Sequence, residues 1–137
     1  MWAGRHHEDS SHTPAEVWDA VVAVHGGLKQ APGHEAYTCD GPLGPDAVVR
    51  AVHDGHTGPD MAVVEFDPGR RYAHEFGLRR YRVRLGYTVE PHGDGTRLVR
   101  TIEANGPIAD LATAGLGQQL LALYKPQVRA LLDFVAA

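Results

Sequence analysis

The feature that most constrains this chain is an apolar stripe running through about its last thirty residues. After Gly106-Pro107, Ile108, Leu111, Ala112, Gly115, Leu120, Leu123, Val128, Leu131 and Val135 recur at three- and four-residue steps, the spacing that lines one side of an α-helix. Pro107 falls near the first turn, where a missing N–H costs little. Such a helix would be about 40 Å long, roughly the width of a domain of this size. It can bury its stripe only by lying across a sheet that curves around it. The stripe is slim at first (Ala109, Ala112, Ala114, Gly115, Gly117) and bulky later (Leu120, Leu121, Leu123, Tyr124, Leu131, Leu132, Phe134). Bulky residues fill a core, whereas small ones leave room for a ligand between helix and sheet. Pro126 removes one intrahelical hydrogen bond and predicts a bend near Ala122.

Upstream, residues 2–10 alternate as a strand would. Thr13-Pro14-Ala15-Glu16 then carries the marks of a helix start: Thr13 as N-cap, Pro14 in the first turn and Glu16 closing a capping box. Val17, Trp18 and Val21 follow at helical spacing, Gly26-Gly27 ends the helix, and a second short helical turn is expected around Leu28-Lys29-Gln30. From Glu35 to Ala104 the period changes to two. Segments 35–40, 46–54, 60–67, 71–78, 81–91 and 95–105 are separated by Gly/Pro/Asp-rich turns, which reads as consecutive antiparallel hairpins. Between Leu78 and Tyr81 the turn chemistry is weak, and Gly77 could instead mark a bulge. Strand, two short helices, six strands and a long helix make an α+β architecture. The expectation is a curved antiparallel sheet of about seven strands wrapped around the C-terminal helix, in a single domain spanning 1–137.

Composition excludes several classes of function. A net charge of −4 with scattered arginines leaves no electrostatic footprint for nucleic acid. No run of apolar residues is long enough to span a membrane, and the N-terminal residues lack the apolar core of a signal peptide. Cys39 is the sole cysteine and fits a reducing, cytoplasmic setting, where it reads as a small semi-buried apolar residue.

Ser11-His12-Thr13-Pro14-Ala15-Glu16-Val17-Trp18 resembles the first helix of the START-like helix-grip superfamily (SRPBCC), in particular its polyketide cyclase/dehydrase-type members. Leu43-Gly44-Pro45-Asp46-Ala47, Val64 to Tyr72 across a hairpin, and Tyr87 to Glu90 through Leu98 into Gly106-Pro107 are similar in the same order. The resemblance covers nearly the whole chain. It implies a deep cavity for hydrophobic or aromatic molecules, no cofactor, and a monomer or homodimer. Its members include cyclases, lyases, hydrolases, transfer proteins and pure binders.

The candidate chemistry lies on the strands. Tyr72, His74 and Phe76 share one face of their strand, and Tyr81, Val83, Leu85, Tyr87 and Val89 form the most apolar face in the chain. If both faces look at the helix, His74 is an imidazole flanked by phenols, suited to general acid/base work. The plainer reading is a buried histidine held by a backbone carbonyl. Arg100 shares parity with Leu98 and Ile102. If inward, it must meet a carboxylate such as Glu65, Glu75 or Glu103, or else an oxyanion of the substrate. Val99, Thr101 and Glu103 offer a competing inward face.

Glu8 is a candidate for the same cavity, beside His74. His6, His7, Glu8 and Asp9, with His53 and His56, look at first like metal ligands, but no tight spacing supports a closed site and no metal is expected. The function expected is a cofactor-independent cyclase or dehydratase, with His74 as acid/base, Tyr72 orienting oxygens, and Arg100 and Glu8 supporting charge. Tyr87, Phe76, Tyr81, Leu85, Val83, Trp18, Ala112, Gly115 and Leu116 would line the substrate site. The rival is a non-catalytic carrier using the same cavity.

Overall fold

Strand β1 (Trp2–Ser10) pairs antiparallel along its whole length with the last strand, β8 (Gly95–Asn105), from Trp2↔Ala104 to Ser10↔Thr96. The computed structural model describes residues 1–78, 80–106 and 110–137, excluding the side chains of Asp110, Leu111 and Ala112. The expectations placed on Pro107, Ile108, Ala109, Leu111 and the Ala112 side chain therefore lie outside the described residues.

Helix α1 (Pro14–His25) starts as its sequence demands. The Thr13 hydroxyl accepts from the Glu16 N–H at 3.2 Å, and the Glu16 carboxylate accepts from the Thr13 N–H at 3.2 Å. One helix follows β1, and the second short helix expected around Leu28 is absent. Gly26 caps α1, Gly27 turns left-handed at φ 75°, and residues 28–35 form a loop with Leu28 exposed. No cap or apolar stripe in that stretch could stabilise a turn of helix so short.

The meander then runs β2 (Ala36–Cys39), β3 (Val48–His53), a two-residue β4 (His56–Thr57), β5 (Met61–Asp67), β6 (Arg71–Leu78) and β7 (Tyr81–His92) before β8. The sheet order is β1-β8-β7-β6-β5-β3-β2, with β4 on β3. The β6–β7 register is unbroken from Arg71↔Thr88 to Leu78↔Tyr81, so Gly77 is no bulge; the irregularity falls on β5, between Val63 and Glu65.

Helix α2 (Asp110–Ala136) lies along β1 and β8 and also touches α1. At Gly117 it meets the Trp2 side chain of β1. The Trp2 ring sits so near that a Cβ there would collide with it, which accounts for a helix interior tolerating a residue about 1 kcal/mol worse than Ala. Gly115 by contrast faces open space. Among the described residues no helix is long and apolar enough to cross a membrane.

The faces of the sheet divide as period two requires. Leu98, Arg100, Ile102 and Ala104 of β8, Val83, Leu85, Tyr87 and Val89 of β7, and Tyr72 and His74 of β6 are all buried. Val99 is buried as well, and it is the pairing of Arg100 with Tyr87, whose ring it covers, that puts Arg100 on the inner face. Each fully buried aliphatic side chain on this face contributes roughly 1.5–3 kcal/mol. One apolar group gathers Val17, Val21, Val49, Leu98, Val128 and Leu131; a second gathers Tyr81, Val83, Leu85, Ile102, Leu120 and Tyr124; Phe76 touches both. The outer face carries ion pairs instead. Glu65 binds Arg71 and Arg84, Glu75 binds Arg84, and Asp9 binds Arg97.

Candidate functional site

Seven elements or loops each send a polar or charged side chain into the space between sheet and helices. From α1 comes His25, the third member of a stripe at positions 17, 21 and 25, one helical turn apart. Its Nδ1–H donates to the Val21 carbonyl at 2.7 Å, leaving Nε2 a bare acceptor. The α1–β2 loop turns at Gly33 (φ 81°) and brings in His34. The Nδ1–H of His34 donates to the Glu35 carbonyl at 2.9 Å, and its Nε2 accepts from the Tyr87 hydroxyl at 2.8 Å. Tyr37 comes from β2, Tyr72 and His74 from β6, Tyr87 from β7, Arg100 from β8 and Tyr124 from α2, and none is more than 6% exposed.

The rings are in mutual contact. Centroids lie 4.9 Å apart for His25 and Tyr37, 4.5 Å for His25 and Tyr72, and 5.4 Å for Tyr37 and His74. The Tyr72 hydroxyl meets His74 Nδ1 at 2.9 Å. The guanidinium carbon of Arg100 sits 4.2 Å from the Tyr87 ring centre, its cross-strand neighbour, and 5.2 Å from that of Tyr124. Cation–π contacts of this kind offset part of the cost of desolvating the charge.

Among the described residues no carboxylate pairs with Arg100; Glu35, whose charge acts on Tyr37 and Tyr124, lies 3.8 Å from His53. Among the described residues, all three guanidinium nitrogens of Arg100 are buried without a hydrogen-bond partner, and so are the Tyr37 hydroxyl, His25 Nε2 and His74 Nε2. The carboxylates expected as partners are elsewhere. Glu65 and Glu75 are on the outer face with Arg71 and Arg84; Glu103, at odd parity, is in register with Arg84.

Burial sets the protonation of everything around the guanidinium. Desolvation, then the charge of Arg100, holds His74 down at about 3. Desolvation holds His34 at about 4, and pushes His25 well below the usual histidine range. Desolvation also drives the phenols of Tyr37, Tyr72 and Tyr87 upward, and that of Tyr124 to about 12. At neutral pH the cluster is therefore one cation among neutral imidazoles and phenols.

The structure brings together four of the anticipated residues, Tyr72, His74, Tyr87 and Arg100, with Phe76 at their edge, 6.5 Å from His74. Tyr81, Val83 and Leu85 line the adjoining apolar group. Trp18 seals α1 onto β5 by meeting Phe66 edge-on at 5.6 Å. Glu8 is not in the site. It lies on the edge strand, bonded to His6 at 2.6 Å and 3.7 Å from Arg129, with β8 and β7 between its strand and that of His74. Its parity is inward, but at that edge inward means the flank of α2.

Gly115 and Leu116 line a surface cleft of about 510 Å³ with Leu78, Tyr81 and Leu120. The cleft beside the slim half of α2 opens outward, and the ring cluster packs instead under the bulky half, against Tyr124. Sequence reasoning missed His25, His34, Tyr37 and Tyr124. The first was legible as the continuation of the Val17–Val21 stripe; the others depend on long-range packing. Among the described residues no group of three His, Cys, Asp or Glu is placed to hold a metal ion.

A family profile described as "Polyketide cyclase / dehydrase and lipid transport" matches residues 2–133, and the chain belongs to that family. A search of curated proteins finds no match. Solved structures share the fold. The Zhui aromatase/cyclase from Streptomyces sp. R1128 superposes with a TM-score of 0.68 at 15% identity, over 98% of this chain and 93% of that one. Ara h 8.0201 gives 0.63 at 17%, over 98% and 97%. The Aha1 dimer from Colwellia psychrerythraea gives 0.63 at 15%, over 96% of each chain. At such identities the likeness is one of fold.

Proposed function

We propose that this chain binds a hydrophobic, aromatic or polyketide-derived small molecule between the sheet and α2, and acts on it as a cofactor-independent cyclase or dehydratase. The observation that carries the reading is the Tyr72–His74 pair, bonded at 2.9 Å on the inner face, with His74 Nε2 left without a partner inside the buried ring cluster. When Tyr72 donates to Nδ1, Nε2–H is the donor aimed at a ligand carbonyl. A neutral imidazole beside a fixed guanidinium can polarise that carbonyl and stabilise the enolate that forms. In the proposed sequence the ring acts instead as its Nδ1–H tautomer, donating to the Tyr72 oxygen. Nε2 takes a proton from the carbon α to one carbonyl, the enolate attacks a second, and the imidazolium returns that proton to the new alkoxide. The imidazole then takes the remaining α proton and passes it to the hydroxyl, which leaves as water as the carbon–carbon double bond forms.

A second reading, a carrier that binds without reacting, is favoured by one observation: an imidazole held at about 3 is a weak base at neutral pH. Two measurements separate the readings. Native mass spectrometry of the expressed protein identifies a co-purified ligand. On that ligand or its precursor, His74→Phe is expected to lower turnover by about 10²–10⁴-fold while leaving affinity within a few-fold. Unchanged turnover, or none in the wild type, removes the enzyme and leaves the carrier.

A further inference from the structure

We infer that the ligand is an acid, and that its carboxylate or equivalent oxyanion docks on the edge of Arg100. This rests on the reading that a small molecule enters the grip, and adds to it the charge of that molecule.

Three observations converge. Arg100 is fully buried and its three nitrogens have no partner among the described residues. Aspartate and glutamate are plentiful in the chain, yet those on the neighbouring strands serve the outer face. The guanidinium carbon sits over the rings of Tyr87 and Tyr124, contacts that leave its N–H donors unused, and such donors bind a carboxylate with two parallel hydrogen bonds. The Tyr37 hydroxyl is close enough to act on Arg100 as a hydrogen-bonding neighbour but does not reach full bond geometry, and His74 Nε2–H points into the same ring cluster.

The chemistry of the surroundings selects for charge. The nearby imidazoles and phenols are neutral at pH 7, so nothing in the cluster balances the cation. A neutral hydrophobe entering here would leave Arg100 as desolvated as it already is and give nothing back. An acid of the same shape supplies the missing charge and accepts the unused N–H and O–H donors. His25 Nε2, an acceptor, suits a hydroxyl of the same ligand.

The experiment compares matched pairs: 2-naphthoate with 2-naphthamide for an aromatic acid, decanoate with decanamide for a fatty acid. Each is titrated into the wild type and into Arg100→Met and Arg100→Lys, with calorimetry and thermal midpoint as readouts. The expected result is that at least one acid binds wild type ten-fold or more tighter than its amide. That preference should vanish in Arg100→Met and be reduced in Arg100→Lys. Which pair shows it identifies the hydrophobe as aromatic or aliphatic. If acid and amide bind alike, the inference is overturned while hydrophobic binding stands. If neither member of either pair binds, the inference is overturned and the binding reading falls with it. The wild-type comparison decides even where a variant does not fold.

Discussion

Arg84 and Arg100 stand on adjacent strands, face opposite sides of one sheet, and live in different electrostatic worlds. Arg84 lies on the outer side, reaching Glu65 at 3.4 Å and Glu75 at 3.3 Å while a third of its side chain stays in water. Arg100 lies on the inner side with two tyrosine rings and no carboxylate. The outer pairs are cheap to form and contribute little each, because water screens both the attraction and the cost of losing it. The inner cation is costly to keep. Replacing such a buried charge by an apolar side chain of similar volume often leaves stability unchanged or raises it.

The comparison can be broken most forcefully with acid. His25, His34 and His74 are buried neutral, with folded-state pKa values below the ordinary histidine value. Above pH 6.5 neither state protonates them and their contribution is fully present. As pH falls from about 6.5 toward 4 the unfolded chain binds protons that the folded chain refuses, at up to about 1.4 kcal/mol per pH unit for each ring. Urea midpoints measured from pH 7.5 to 4.5 should fall steeply; a flat profile would mean the rings are solvated. Next in size, Leu85→Ala on the inner face should cost about 2–5 kcal/mol through lost burial and a cavity, seen in the same unfolding assay. Arg100→Met should raise stability by about 1–4 kcal/mol, because it removes a buried charge without a partner. A loss instead would make the residue a structural cation held by its rings. Smallest, Arg84→Ala should cost about 0.2–1 kcal/mol and shrink further in high salt.

Much of this contrast was readable in the chain before folding. Period-two alternation fixed which residues of β6 and β7 share a face, so Tyr72, His74 and Tyr87 could be placed together from sequence. On β8 both parities carry apolar residues, Leu98 and Ile102 on one and Val99 on the other, and only the pairing Tyr87↔Arg100 decides between them. The carboxylate partners suggested for Arg100 fail for the same reason: proximity in strand order says nothing of face.

Glu8 was misjudged because an inward parity at a sheet edge leads to the flank of α2 and to Arg129, not to the centre. The loop before β2 gave no periodic signal at all. A short apolar residue flanked by Gly and Pro looks alike whether it starts a helix or exposes Leu28, and His34 reaches the site only because Gly33 turns there. Tyr124 was seen as bulk on the helix stripe, since its contact with the guanidinium depends on where α2 lands.

The most direct test of the account is the side-chain Nε–Hε resonance of Arg100 by proton–nitrogen NMR, assigned by its disappearance in Arg100→Lys. A guanidinium without a partner beside two tyrosine rings should resonate upfield of the chain's paired arginines, and should move downfield when a binding acid is added but not with its amide. A resonance already downfield in the free protein, where carboxylate-paired guanidinium groups lie, and indifferent to either compound would contradict the account.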